Sequence, residues 1–112
     1  MFLKKINTKK ENENKIVELG YVYLIRMNID YKIGISKQPQ KRLVEFTKLP
    51  YPIEKICVEK VLDYKKVEKD LHEKFSAKRK RGEWFLLSKK DVDYIKKYLK
   101  KLNKKAKKFE RE

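Results

Sequence analysis

The sequence predicts a small α+β domain in which an antiparallel β-sheet of about three strands is flanked by helices. Two observations lead to this prediction. Segments that alternate in hydrophobicity are interleaved with helical patterns, in the order ββαβαα with a short extended piece before the last helix. Hydrophobic residues also make up 40% of the chain, which is too apolar for a disordered protein. A length of 112 residues fits one domain with one modest core.

The predicted strands are rich in β-branched and aromatic residues. Residues 21–26 and 31–36 form the first two, and the short connection 27–30 predicts a hairpin between them. Residues 56–62 alternate well enough for a third strand, and residues 83–87 predict a short extended segment. These segments supply the antiparallel sheet.

The predicted helices have clear start and stop signals. Pro39 suits the first turn of a helix that runs to about Lys48, and the prolines of residues 50–52 prevent its continuation. Asp63 is a candidate N-cap for a helix over residues 63–78. Ser88, with an acidic residue three positions later, resembles a capping box that starts a last, lysine-covered helix.

Charge is the strongest compositional signal. With 32 Lys and Arg against 16 Asp and Glu, the net charge of +16 attracts polyanions, with nucleic acid as the leading partner and an anionic membrane surface as the second. We expect a loose basic arm over residues 1–18, the folded domain over 19–103, and a basic tail or helix extension over 104–112. No segment has the apolar length of a membrane span, and no secretory signal is evident, so a cytoplasmic protein without membrane association is predicted.

The chain offers few metal ligands other than carboxylates. Cys57 is the only cysteine and His72 the only histidine, which excludes an intramolecular disulfide, a cysteine-based zinc site and a histidine-rich site. Any bound metal would be held mainly by carboxylates and water, which favours Mg²⁺ or Mn²⁺.

The predicted hairpin has one polar face. Alternation places Tyr21 and Tyr23 on one face of the first strand, and Lys32, Gly34 and Ser36 on one face of the second. If these faces coincide, the glycine leaves a gap beside polar groups, which would suit a phosphate approaching the backbone. The alternative is that Gly34 marks a bulge and Tyr23 is an ordinary half-buried strand tyrosine.

Glu68 is the candidate metal ligand. It lies about 100° from Val67 around its helix, at the edge of an apolar stripe, where a carboxylate is costly unless it is paired or binds a cation. The alternative to a metal is an ion pair with Lys65 or His72.

Taken in chain order, these features resemble the GIY-YIG nuclease superfamily, specifically its phage-type branch, over roughly residues 19–98. The motifs that carry the resemblance are Tyr21-Val22-Tyr23, Lys32-Ile33-Gly34, Arg42, Glu68 with His72, and Glu83-Trp84-Phe85. The resemblance implies a metal-dependent DNA-cutting enzyme with the fold predicted above.

The resemblance also implies roles for individual residues. Tyr23 would act near the attacking water, and Glu68 would hold the single divalent metal. Lys32 replaces the tyrosine of the second motif; it would bind the scissile phosphate or accept a proton from water. Arg42 would pair with the phosphate and stabilise the charge that develops there. Tyr21 stands where the first motif has glycine, which is a departure from the family pattern.

Further residues are expected near the site or on the substrate. His72 would orient Glu68 or touch substrate, Glu83 would be a second polar member, and Trp84 either lies at the site or closes the core. Tyr21 and Ser36 would border the site. Candidate DNA-binding residues lie in a basic loop and on the last helix: Lys78, Arg79, Lys80, Arg81, Lys100, Lys101, Lys104 and Lys105.

The function predicted from the sequence is a DNA endonuclease that hydrolyses phosphodiester bonds with Mg²⁺ or Mn²⁺ and nicks as a monomer. RNA is left open as a substrate, and a double-strand break would need a homodimer or two events. The alternative is a catalytically weak or inactive GIY-YIG-like module that only binds nucleic acid. For the last helix, a solvated face or membrane-surface binding are the alternatives.

Overall fold

A computed structural model describes residues 3–7 and 14–111 of the chain, and the side chains of residues 17–111. The described elements are β1 (Leu3–Asn7), β2 (Asn14–Met27), β3 (Asp30–Ser36), α1 (Pro39–Phe46), β4 (Ile53–Leu62), α2 (Tyr64–Lys74), a 3₁₀ turn (Ser76–Lys78), β5 (Arg79–Arg81), β6 (Trp84–Phe85) and α3 (Lys89–Arg111). No helix among them is long and apolar enough to cross a membrane.

β2 is the organising strand of the sheet. β1 pairs with its first part, and β3 and β4 both pair with its second part. β6 then pairs with β3, and β5 with β6, so the described residues form a six-stranded sheet in which every pairing is antiparallel. The α+β class with an antiparallel sheet is therefore confirmed. The sheet has more strands than the three or so expected. The additional strands β1, β5 and β6 are short or polar, so their sequences give little of the alternating hydrophobic pattern that predicts a strand.

The N-terminal segment differs from the loose arm predicted over residues 1–18. Leu3–Asn7 and the start of Asn14–Met27 pair in register as antiparallel strands, from Leu3 opposite Glu18 to Asn7 opposite Asn14. The sequence signal is weak there because lysine and asparagine are poor strand formers. The rest of that predicted arm, residues 1, 2 and 8–13, lies outside the described residues.

The hairpin of β2 and β3 forms as predicted. Met27 pairs with Asp30, and Asn28 between them adopts a left-handed backbone with φ of 60°. Asparagine tolerates this region better than most residues, which suits a two-residue hairpin turn.

The core lies on one face of the sheet. Val22, Leu24 and Ile33 point to this face and pack with α2 and α3. Apolar residues at helical spacing on α3, such as Ile95 and Leu99, are fully buried there. Hydrophobic burial against these two helices therefore fixes both on the same side of the sheet.

The helix boundaries match the predictions in part. The capping box is confirmed: the Asp91 N–H donates to Ser88 Oγ at 3.1 Å, and the Ser88 N–H donates to Asp91 Oδ2 at 2.9 Å. Asp63 does precede α2, but its backbone is left-handed and its side chain makes no capping hydrogen bond. α2 ends at Lys74, short of the predicted Lys78, because a 3₁₀ turn and β5 follow.

Candidate functional site

The polar face of the hairpin lies opposite the core. Tyr23 pairs with Gly34 and Ile25 with Lys32 in the β2–β3 register, and residues paired across strands point to the same side. The prediction that Tyr23 and Lys32 share a face is therefore confirmed by the strand register. α2 and α3 cover the other face, so this side is shaped instead by α1, β6 and the edge of α2.

The gap expected at Gly34 is filled by a ring. A Cβ built at Gly34 would lie 2.4 Å from both Cζ and Oη of Tyr23. The interpretation of Gly34 as an opening for phosphate is therefore wrong. Glycine is needed at position 34 because the ring of Tyr23, the residue paired with it on β2, occupies the space that a side chain would take.

Tyr23 is more buried than a half-buried strand tyrosine, with 1% of its surface exposed. Its ring meets Phe46 of α1 edge-on, with centroids 6.2 Å apart. Burial raises the pKa of Tyr23 to about 12, although the nearby Arg42 guanidinium opposes the rise. At neutral pH the phenol keeps its proton and can orient a neighbouring group, but it is a poor proton acceptor.

Glu68 carries the most unusual polar atom of the described residues. Its side chain is 17% exposed, and Oε2 is buried without a hydrogen-bond partner. Burial raises the pKa of Glu68, the nearby Glu83 carboxylate raises it further, and Lys32 opposes the rise. Lys65 was one of the two predicted ion-pair partners of Glu68. Its Nζ instead lies 3.8 Å from Oε1 of Glu18. A buried carboxylate oxygen without a donor is destabilising, which makes Glu68 the best candidate for binding a cation.

This burial predicts a gain in stability when the charge is removed. Because the folded-state pKa of Glu68 is raised above its usual 4.5, the carboxylate destabilises the fold at neutral pH, and protonation relieves this at low pH. We expect Glu68→Gln to raise the free energy of unfolding by about 1 kcal/mol at pH 7. The gain should shrink as the pH falls through the raised pKa of Glu68 toward the usual 4.5, and it should be absent below that value. Glu73→Gln on the exposed side of the same helix is the control in urea unfolding at several pH values; equal gains in both variants would contradict the burial argument.

His72 is held by two partners other than Glu68. Its Nδ1 accepts a hydrogen bond from Arg79 Nη2 at 3.1 Å, since guanidinium only donates. Its Nε2 donates to the carbonyl oxygen of Ile33 at 2.9 Å, since carbonyl oxygens only accept. Nε2 also lies 3.9 Å from Glu68 Oε2, which is too long for a hydrogen bond. His72 instead ties α2 to β3 and thereby positions Glu68 one turn earlier.

Lys32 and Glu83 form an ion pair at the other side of the site. Nζ lies 2.7 Å from Oε1, and the two side chains are 16% and 42% exposed. The ammonium also lies 5.7 Å from the Trp84 ring centroid and 6.0 Å from that of Phe46. Trp84 was expected either to close the core or to lie at the site. Its neighbour Phe85 is the residue that is buried in the core, so the structure favours the site for Trp84. The ion pair with Glu83 thus holds the Lys32 ammonium at a position that suits contact with a phosphate.

Arg42 lies on α1, at the open side of the face. Its side chain is 51% exposed, its Nη1 lies 3.6 Å from Glu45 Oε1, and its charge acts on the Tyr23 hydroxyl. Ser36 Oγ accepts a hydrogen bond from the Gln38 N–H at 2.9 Å, which anchors the turn into α1. Ser36 therefore has a structural role. Tyr21, opposite Ser36 in the register, lies further along the same face than Tyr23.

The basic loop predicted over residues 78–81 consists of Lys78, which ends the 3₁₀ turn, and of β5, and its cations are mostly paired. Lys78 pairs with Asp91, Arg79 with His72, and Lys80 with Asp30 at 2.8 Å. The structure describes no such pair for Arg81. Internal pairing leaves this segment less charge for nucleic acid than the sequence indicates.

The lysines predicted on the last helix do not share one face. Lys100, Lys101, Lys104 and Lys105 are all exposed. At about 100° per residue, however, they spread over about 140° of the surface of α3. α3 packs on the core side of the sheet, away from Tyr23 and Lys32. These lysines therefore do not line the candidate site.

The site has one partner that the sequence analysis did not identify as functional. Phe46 contacts Tyr23 and lies near Lys32. A helix–sheet contact of this kind leaves no local sequence signal, because it depends on where α1 folds back.

The described residues hold no group of three or more His, Cys, Asp or Glu side chains that could enclose a metal. Glu83 is near enough to influence Glu68 but is engaged by Lys32. A cation at Glu68 would therefore complete its coordination with water and substrate oxygens, which is how Mg²⁺ is commonly bound.

The family comparison corrects the resemblance drawn from the sequence. A model of the T5orf172 domain matches residues 20–102, and the chain therefore belongs to the T5orf172 domain family. This is a distinct family, and the assignment to the GIY-YIG superfamily is wrong. The motifs behind that assignment are only one to three residues long, and two of them depart from the family pattern, at Tyr21 and Lys32. No curated protein and no solved structure matches the chain.

Proposed function

We propose that this member of the T5orf172 domain family is an endonuclease that hydrolyses phosphodiester bonds of DNA with the help of a divalent metal, and that it nicks one strand as a monomer. The observation that carries the proposal is the buried, unpartnered Oε2 of Glu68. The site geometry and the net charge of +16 support it; the family description names no substrate or reaction.

The charge pattern around Glu68 suits a phosphodiester. Two cations, Lys32 and Arg42, come from different elements and face the same side as Tyr23, while the rest of the chain adds a long-range attraction for polyanions. A Mg²⁺ or Mn²⁺ ion at Glu68 would supply charge stabilisation for the phosphate and the leaving oxygen. Its binding would also neutralise the carboxylate.

Side chains of the site would contact the phosphate, orient the attacking water and accept its proton. Arg42, exposed and on a small helix, would pair with a non-bridging phosphate oxygen. Lys32 would exchange part of its contact with Glu83 for the phosphate. The Tyr23 phenol would orient the attacking water, while the Glu83 carboxylate, partly released from Lys32, would accept the proton as the water oxygen bonds to phosphorus and the ester oxygen leaves.

The second candidate function is a nucleic-acid-binding module with weak or no catalysis. Two observations favour it: Tyr23 is buried as a phenol, and Lys32 is occupied by Glu83. Both functions need the basic surface, so a nucleic-acid-binding assay does not distinguish them. Only an assay of phosphodiester cleavage does.

The deciding experiment is cleavage of supercoiled plasmid. We expect nicked circles to accumulate with Mg²⁺ or Mn²⁺ and none with EDTA. Absence of nicking with every divalent ion, in protein that still binds DNA, would reject the nuclease and leave the binding module.

Three substitutions test the assigned roles. Tyr23→Phe, Lys32→Ala and Arg42→Ala should each slow nicking more than tenfold, equal to about 1.4 kcal/mol of barrier, because each removes a contact to the phosphate or the water. Lys41→Ala, which removes a neighbouring exposed cation on α1, is the matched control. Circular dichroism should show all four variants folded. Full activity of Lys32→Ala would show that its ion pair with Glu83 is purely structural.

A further inference from the structure

The outward face of α3 carries a row of exposed lysines. We define the outer stripe as five exposed lysines, Lys90, Lys97, Lys101, Lys104 and Lys108. At about 100° and 1.5 Å per residue they fall within about 60° of the helix surface and extend along about 27 Å. The stripe lies opposite the buried residues of α3, such as Ile95 and Leu99, and so faces away from the domain.

The carboxylates of α3 do not neutralise this stripe. Asp91 is engaged by Lys78, and Glu110 by Lys60 at 2.7 Å. Asp93 lies at one edge of the stripe, where it borders a surface depression together with Lys96, Lys97 and Lys100. Among the described residues, no ion pair involves a lysine of the stripe, and like charges held this close repel one another. Binding of a polyanion would reduce this repulsion between the lysines.

We propose that the outer stripe binds the phosphate backbone of a nucleic-acid duplex and that it is separate from the candidate site. A rigid row of lysines over about 27 Å matches a duplex, which presents a phosphate charge about every 1.7 Å along its axis. Lysine contacts the backbone as a point charge, so the binding is independent of base sequence.

Nucleic acid fits this surface better than a membrane. A helix that lies in a membrane interface must insert its apolar side into the lipid. The apolar side of α3 is already buried, with Ile95, Leu99 and Ala106 fully covered by the domain. Apart from the partly exposed Tyr94 at its edge, the surface of α3 that faces away from the domain is charged, which suits a polyanionic backbone.

The stripe and the candidate site lie on different sides of the molecule. Leu24 and Ile33 share one core with α3, whereas Tyr23 and Lys32 point to the opposite face of the sheet. A straight duplex seated at Tyr23 and Lys32 therefore does not reach the outer stripe. The stripe holds a second segment of nucleic acid, or the same molecule at a distance.

Two variants of the full chain test this surface. The outer variant carries Gln at Lys97, Lys101, Lys104 and Lys108, and the flank variant carries Gln at Lys89, Lys96, Lys100 and Lys107. Both remove four exposed lysines from the same helix, so they match in net charge and differ only in the face affected. Fluorescence anisotropy with a duplex of about 20 base pairs, in EDTA and over a range of salt concentrations, reports affinity and its salt dependence.

We expect the outer variant to bind at least ~30-fold more weakly at low salt, with a log–log salt slope shallower by about 3 to 4, because each lost phosphate contact removes about 0.9 from the slope. The flank variant should change the slope by less than half as much. The same difference is expected in a Glu68→Ala background, so this test stands even if the protein is not a nuclease.

Equal losses in both variants would overturn the proposal, because net charge alone would then explain the binding. An unchanged slope in the outer variant would overturn it too. Vesicles containing phosphatidylserine provide the remaining comparison: loss of vesicle binding with duplex binding intact would assign the stripe to a membrane surface.

Discussion

Glu68→Ala is expected to abolish metal-dependent nicking while leaving DNA affinity close to that of the wild type. Oε2 of Glu68 is the buried carboxylate oxygen that no described donor satisfies, and of the two carboxylates described at the site, Glu68 and Glu83, only Glu83 is engaged by Lys32, so truncation of Glu68 removes the one available to a cation. Affinity for DNA comes mainly from lysines and arginines elsewhere, so it should survive. Plasmid nicking and duplex anisotropy, measured on the same preparations, check both halves of this expectation.

Metal binding gives a second measurement that does not depend on cleavage. A ligand that binds the folded state alone raises its stability, so Mg²⁺ or Mn²⁺ should raise the melting temperature of the wild type but not of Glu68→Ala. Glu73→Ala, on the exposed side of α2, is the matched control and should behave as the wild type in both assays. Nicking by Glu68→Ala at the wild-type rate would show that the metal is bound elsewhere or is not needed.

The sequence predicted those parts of the fold that depend on local patterns. Strand alternation placed Tyr23 and Lys32 on one face, and the hairpin register bears this out. The spacing of Ser88 and Asp91 predicted the start of α3, and both capping hydrogen bonds form. In each case the signal and the structure lie within a few residues, so no long-range information was required.

The sequence-based predictions that the structure corrects have a common physical origin, because they concern contacts between segments that are distant in the chain. The side chain opposite Gly34 is set by the register of two strands, and the partners of His72 come from β3 and β5. The basic residues after α2 looked available because their acidic partners lie elsewhere in the chain, such as Asp30 for Lys80. The family assignment failed for a related reason: short motifs of common residue types do not distinguish one family from another.

Gly34→Ala is expected to destabilise the domain severely. The new methyl group would lie 2.4 Å from Tyr23 Cζ and Oη and 2.8 Å from Cε1, distances that carbon atoms do not adopt without movement. The ring is 1% exposed and packed against Phe46, so it has little room to move aside. Overpacking of this kind costs about 1–3 kcal/mol, and we expect the upper end in urea unfolding, with loss of nicking as Tyr23 is displaced.

Two comparisons decide whether the clash is the cause. Gly82→Ala meets no atom within 4 Å but has a left-handed φ of 57°, so it should cost only the backbone strain of about 1–2 kcal/mol. Tyr23→Leu should destabilise the wild type yet cost much less in the Gly34→Ala background, because the clashing ring atoms are then absent and the two substitutions are not additive. A Gly34→Ala protein that is as stable as the wild type but binds DNA more weakly would contradict this account. It would show instead that the glycine opens the strand to phosphate, as the sequence alone had indicated.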